Sequence, residues 1–216
     1  MSNIIKMLKL DFSLIKPYTK TLLIVFLFPL IVSVKEFSYG FVLYMSIMAM
    51  TSNYTFSVAE KNDLNRLYGL LPVKKEDIVN GRYLFTALTG VLLAISFAIL
   101  NIIIMFFAKM SFSLEDLIVS LSVGLGMYMF FTAIQLPGFF KFGAIKGRFV
   151  AFIPFIGVFL AGVIAQKINP ESLNKLDNIA VLNNPYSFLA ISILISIVFY
   201  CISIGISQRI LNKMEF

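Results

Sequence analysis

Six stretches of this chain carry no Asp, Glu, Lys or Arg: residues 21–34, 37–59, 83–108, 117–140, 149–166 and 178–208. Crossing roughly 30 Å of hydrocarbon takes about 20 apolar residues. Four of the six stretches are long enough outright, and 149–166 is slightly short. The stretch 21–34 reaches both surfaces if Lys20 and Lys35 snorkel outward. A water-soluble domain alternates apolar and polar residues along its elements. This chain does not: 59% of its 216 residues are hydrophobic and 13% charged. Its mean hydropathy is +0.92. The pattern predicts an all-α, polytopic membrane protein forming one transmembrane domain over residues 1–216. Six transmembrane helices are expected at about 21–35, 37–59, 83–108, 117–140, 149–166 and 187–208. Pro185 stands at the mouth of the last stretch and puts the start of the sixth span near 186–188.

The basic residues orient these spans. With the N-terminus inside, the inner segments are 1–20, 60–82, 141–148 and 209–216, and they hold 14 of the 18 Lys and Arg. Only Lys35, Lys109, Lys167 and Lys175 fall outside. Lys and Arg accumulate on the cytoplasmic side of membrane proteins, so both termini are expected in the cytoplasm of a cell-membrane protein. Acidic residues divide almost evenly, six inside and five outside. The net charge of +7 thus marks topology, and nucleic acid is not an expected partner.

Ahead of the first span, Ile5, Leu8, Phe12 and Ile15 recur at helical spacing. Lys6, Lys9, Ser13 and Lys16 repeat that spacing one residue later, about 100° round the helix. An apolar stripe beside a lysine stripe suits a helix lying in the interface on anionic lipid, with Lys6, Lys9 and Lys16 toward the headgroups. Pro17 ends it.

Absences narrow the chemistry further. No Asp, Glu, Lys, Arg or His lies inside a predicted span away from its ends. A charge at a span centre costs about 2.5–3.5 kcal/mol on insertion scales, a cost that ion-coupled carriers and intramembrane hydrolases accept. The chain has no His, the commonest metal ligand and general base. No catalytic residue, metal ligand or cofactor of its own is expected. Its one cysteine, Cys201, rules out an intramolecular disulfide and reads as a small buried hydrophobe. Three neutral polar residues enter the spans, Asn53, Asn101 and Gln135. Each either lines a path or bonds a neighbouring helix. Small residues repeat on faces at Gly90, Ala94 and Ala98, at Gly157, Ala161 and Ala165, and at Ser192, Ser196, Ser203 and Ser207; such faces mark helix packing. Pro137-Gly138 is expected to bend or end the fourth span. There is no G-x-x-x-x-G-K-[ST] loop, so uphill movement of a solute needs energy from another chain.

One polar segment interrupts the apolar pattern, "EKNDLNRLYGLLPVKKEDIVNGRY" from Glu60 to Tyr83. Reading Glu60–Leu71 as a helix puts Leu64, Leu67, Tyr68 and Leu71 on one stripe. Pro72 stops that helix. Lys74 and Lys75 follow, and Glu76 and Asp77 favour the start of the next helix, which runs through Arg82 into the third span. Burying a large apolar side chain is worth about 1.5–3 kcal/mol, against an association cost of about 4–15 kcal/mol. One stripe makes a weak dock; two in a dimer make a firm one.

This segment resembles the first cytoplasmic loop of type-2 ABC exporter permeases, especially the small six-helix ones of Gram-positive bacteria. Glu60-Lys61-Asn62, Leu71-Pro72-Val73, Asp77-Ile78-Val79 and Arg82-Tyr83 carry the resemblance. Within that group the chain is similar to permeases of the phenol-soluble modulin exporter, which expels amphipathic helical peptides. The resemblance implies a coupling helix between spans two and three, with Leu64, Leu67, Tyr68, Leu71, Lys74, Lys75 and Arg82 toward a cytoplasmic P-loop ATPase. It implies ATP and Mg on that ATPase, and a second permease copy or paralogue. The expected function is export of amphipathic peptides or other hydrophobic cargo. The competing expectation is a non-transporting membrane interaction protein, such as a peptide immunity or sensor subunit.

Overall fold

The computed structural model describes residues 3–18, 20, 28–33, 37–64, 73–108, 113–165 and 184–214. All regular elements among them are helical. Helix α1 spans Asn3–Ile15 and passes into a 3-10 turn at Lys16–Tyr18. Residues 28–33 are helical, while most of the predicted first span lies outside the described residues. Helix α2 (Phe37–Ala49) and helix α3 (Asn53–Lys61) are joined by a 3-10 turn at Met50–Ser52. The Thr51 and Ser52 hydroxyls in that turn donate to the carbonyls of Met48 and Ala49, a back-bonding that bends helices. Three long helices follow: α4 (Lys75–Ala108), α5 (Leu114–Ala165) and α6 (Pro185–Asn212).

The long helices start where local chemistry favours it. Glu76 and Asp77 occupy the first turn of α4, where carboxylates meet the positive end of the helix dipole. The Asn184 side chain caps α6 by accepting the Tyr186 N–H at 3.0 Å, with Pro185 in the first turn. Among the described residues, three segments are long and apolar enough to cross a membrane: Lys75–Phe107, Leu114–Leu160 and Pro185–Asn212.

The second of these is folded back on itself. Gly143 has φ 72° and ψ −176° inside α5, and the chain reverses there. The Phe131 ring lies 4.5 Å from that of Phe155. The Gln135 amide donates to the Ala151 carbonyl at 3.1 Å. A Cβ on Gly147 would sit 2.6 Å from the Phe139 ring. These pairs close symmetrically on Gly143, so α5 is a hairpin of two antiparallel arms. The sequence expected Pro137-Gly138 to bend or end the fourth span, and that expectation is corrected; the reversal lies in the segment 141–148 between the fourth and fifth expected spans. Pro137 sits inside the first arm. Gly138 instead allows close approach, because a Cβ on it would lie 2.5 Å from Val150 Cγ1.

The interior forms two clusters along the bundle. One joins Phe41, Tyr44, Met45 and Met48 of α2 to Phe97 of α4 and to Tyr128 and Phe131 of the first α5 arm. The other joins Met7 of α1, Phe56 of α3, Ile78, Val79 and Tyr83 of α4, Leu136 and Phe139 of α5, and Tyr200 and Leu211 of α6. Helix association in lipid relies on packing and interhelical hydrogen bonds, and both are present here. The serine face of α6 is used for packing: Ser192 donates to the Ser122 carbonyl at 2.9 Å and Ser203 to that of Ala133 at 2.5 Å. Ala94 and Ala98 are buried, and Gly90 faces the Tyr128 ring. Gly157 differs, since a Cβ there would have nothing within 4 Å. Cys201 is exposed on α6 rather than buried as expected. It shares that outer surface with exposed Val198 and Ile202.

Candidate functional site

The described parts of the segments that the basic residues assign to the inner side meet at one end of this bundle. The start of α4 is the meeting point. Lys75 Nζ donates to the Met214 carbonyl just beyond α6, at 2.5 Å. The Gln208 amide donates to Asn80 Oδ1 at 3.0 Å. The Tyr83 hydroxyl hydrogen-bonds with Ser203 at 2.5 Å and Ser207 at 2.8 Å. On its other side α4 is held by α1. A Cβ on Gly81 would lie 2.5 Å from Met7 Cβ, and the Phe12 and Phe85 rings pack edge to face at 4.9 Å.

Between those contacts lies an ion pair, Arg82 Nε to Asp11 Oδ1 at 3.3 Å, with side chains 5% and 2% exposed. Burial pushes the Asp11 carboxyl above the usual carboxylate range, and the neighbouring guanidinium pulls it the other way. The Arg82 guanidinium also rests on the Phe56 ring of α3, 4.1 Å from its centroid. Three helices therefore converge on one side chain.

A second carboxylate joins the α3 end to the α5 hairpin. Glu60 Oε2 accepts the Ala144 N–H at 2.7 Å. That donor opens the second arm of α5, whose first N–H groups have no helical acceptor. Glu60 thereby caps an arm that comes far later in the chain.

The predicted site residues are distributed unevenly. Leu67, Tyr68 and Leu71 lie outside the described residues. Leu64 is half-buried and packs against the bundle's own core. Lys74 is exposed, Lys75 is tied to α6, and Arg82 is turned inward to Asp11. The helix expected over Glu60–Leu71 does not begin at Glu60, which is corrected here. Helix α3 runs to Lys61, Asn62 caps it through its amide on the Val58 carbonyl, and Asp63 has φ 49°. A residue in that left-handed region ends a helix. Lys6 and Lys9 on α1 and Lys16 in the turn after it are all exposed.

Of the neutral polar residues, Gln135 bridges helices. Its amide nitrogen serves Ala151 and its oxygen accepts from the Ser52 hydroxyl at 3.4 Å. Asn101 is buried and donates to the Phe97 carbonyl of its own helix. Asn53 Oδ1 is buried without a hydrogen bond among the described residues. An apolar groove of about 460 Å³ runs between the first α5 arm and α6, lined by Phe130, Phe188, Ile195 and Phe199 among others. The described residues contain no cluster of three or more His, Cys, Asp or Glu able to hold a metal ion.

Sequence reasoning missed Asp11, Glu60 as a cap, and Gly143. Each left a trace: a lone acid in a basic leader, an acid at a span end, and a glycine in a short inner loop.

A family model described as ABC-2 family transporter protein matches residues 6–212. The chain belongs to that family. Neither a curated protein nor a solved structure matches it. As an ABC-2 type permease it is a multi-pass transport membrane subunit. The family generally works with cytoplasmic ATPase subunits rather than carrying out chemistry itself.

Proposed function

We propose that this permease forms, with a second copy or a paralogue, the membrane path of an ATP-driven exporter. It lies in the cell membrane with six spans and both termini in the cytoplasm. The observation that carries this reading is the gathering of residues 3–18, 60–64, 73–83, 141–148 and 207–214 at one end of the bundle. The same end carries most of the Lys and Arg, as a cytoplasmic face does. The coupling segment is 60–82, and Leu67, Tyr68, Leu71 and exposed Lys74 are its docking surface for a P-loop ATPase that supplies ATP and Mg.

The cargo in this reading is amphipathic, with membrane-active peptides as the favoured class. The chain holds 23 Phe, 9 Tyr and 10 Met, side chains that adapt to varied apolar shapes. Three aromatic rings and two aliphatic side chains dominate the α5–α6 groove, with no charged residue on its walls. A path without fixed charges offers no compensation for desolvating a small ion. Purification in mild detergent with the products of neighbouring genes tests the reading. Leu67→Asp combined with Tyr68→Asp is expected to abolish ATPase co-elution while membrane insertion is retained. An ATPase that binds the double variant with unchanged affinity overturns the docking surface. The absence of any ATPase partner favours a non-transporting interaction protein instead.

A further inference from the structure

We infer that Asp11 is a positioning residue whose ion pair with Arg82 makes α1 move as one body with the start of α4. Displacement of the loop before α4 then reaches the interfacial helix directly. This rests on the reading of 60–82 as the coupling segment. Every lysine described on α1 is exposed, whereas its one acid is buried against another helix. Contacts on both sides of the pair run in the same order along the two helices, Met7 at Gly81, Asp11 at Arg82 and Phe12 at Phe85.

An apolar pair would bury as much surface without desolvating two charges. What the ion pair adds is register. A turn's slip of α1 leaves both charges buried and unpaired, so the attachment has discrete states rather than a sliding range. Arg82 also contacts the Phe56 ring, which brings α3 into the same body. The apolar stripe of α1 is only partly covered: Ile5 is exposed, and Phe12, which packs on Phe85, keeps part of its ring exposed. The protein therefore holds α1 chiefly by its Met7–Asp11 face and leaves part of the stripe for lipid.

Paired spin labels on the full chain in nanodiscs test this, in a Cys201→Ser background. Labels at Ser13→Cys and Glu76→Cys, both exposed, should give one narrow distance. Asp11→Ala or Arg82→Met should replace it with a broad distribution, and Asp11→Glu should restore it. If Asp11→Ala does not fold, the isosteric Asp11→Asn makes the same measurement. A narrow, unshifted distance in the Asp11 variants overturns the proposal. A third label at Lys141→Cys on the α5 hairpin reads motion in the ATPase complex. Nucleotide should shift the 13–141 and 76–141 distances together. A shift at 76–141 alone overturns the clamp. No shift at either speaks against the coupling reading, while the breadth of the 13–76 distance still decides the clamp.

Discussion

A side chain at position 143 would meet two obstacles. Its φ of 72° is costly for any residue with a Cβ, and that Cβ would sit 3.3 Å from Glu60 Oε2. Gly143→Ala is expected to destabilise the protein by about 1–3 kcal/mol, the usual cost of holding a residue with a side chain in this positive-φ, extended-ψ region that glycine alone adopts readily. Glu60→Ala leaves the Ala144 N–H without its acceptor and should cost about 0.5–2 kcal/mol, as lost helix caps do. Thermal unfolding in detergent measures both. The two changes share one corner, so their combined loss should fall short of the sum. Glu60→Gln keeps an acceptor oxygen and should lose less than Glu60→Ala.

At the level of elements, the tie between α4 and α6 rests on the Tyr83 hydroxyl, which bonds Ser203 and Ser207 at once. Tyr83→Phe keeps the ring contact with Tyr200 and removes both bonds. A loss of about 1–3 kcal/mol follows from two buried hydroxyls left without that partner, readable as a lower melting temperature. Much of the element structure was legible beforehand. The α4 start followed from Glu76 and Asp77, and the α6 start from Pro185, because cap chemistry is local. The serine face of α6 was legible for a similar reason: its spacing alone places four hydroxyls on one side. What the sequence concealed were choices between two apolar surroundings. Lipid and protein interior favour the same side chains, so nothing in the run around Cys201 says that it points outward. The inner face of α1 was hidden likewise: its spacing marked the apolar stripe for lipid, and nothing in it marked Met7 and Asp11 as the face turned to protein. Asp11 is buried only because Arg82, far along the chain, happens to stand opposite. The break expected at Pro137-Gly138 is absent because, although proline breaks helices in water, packed neighbours in a bundle tolerate it.

At the level of the whole molecule, helix α4 is the longest unbroken helix among the described residues. Its 34 residues extend about 50 Å at 1.5 Å per residue, roughly 20 Å more than the hydrocarbon core is thick. The surplus fits the Lys75–Arg82 end, which carries the polar contacts to α1 and α6. The proposed orientation makes that end cytoplasmic. In a Cys201→Ser background, an impermeant maleimide on intact cells should label Ser172→Cys but not Lys75→Cys; labelling at Lys75→Cys overturns the topology. The α5 hairpin has a consequence for how the protein is made. Its Gln135–Ala151 bond joins residues only 16 apart, so closing that loop costs little chain entropy. A ribosome adding about 5–20 residues per second delivers the second arm within seconds of the first. The two arms are thus able to leave the insertion machinery already paired, with Gln135 satisfied before lipid surrounds it. In the proposed orientation Lys141, Lys146 and Arg148 stay on the side of synthesis throughout, and biogenesis never has to carry those three charges across the bilayer.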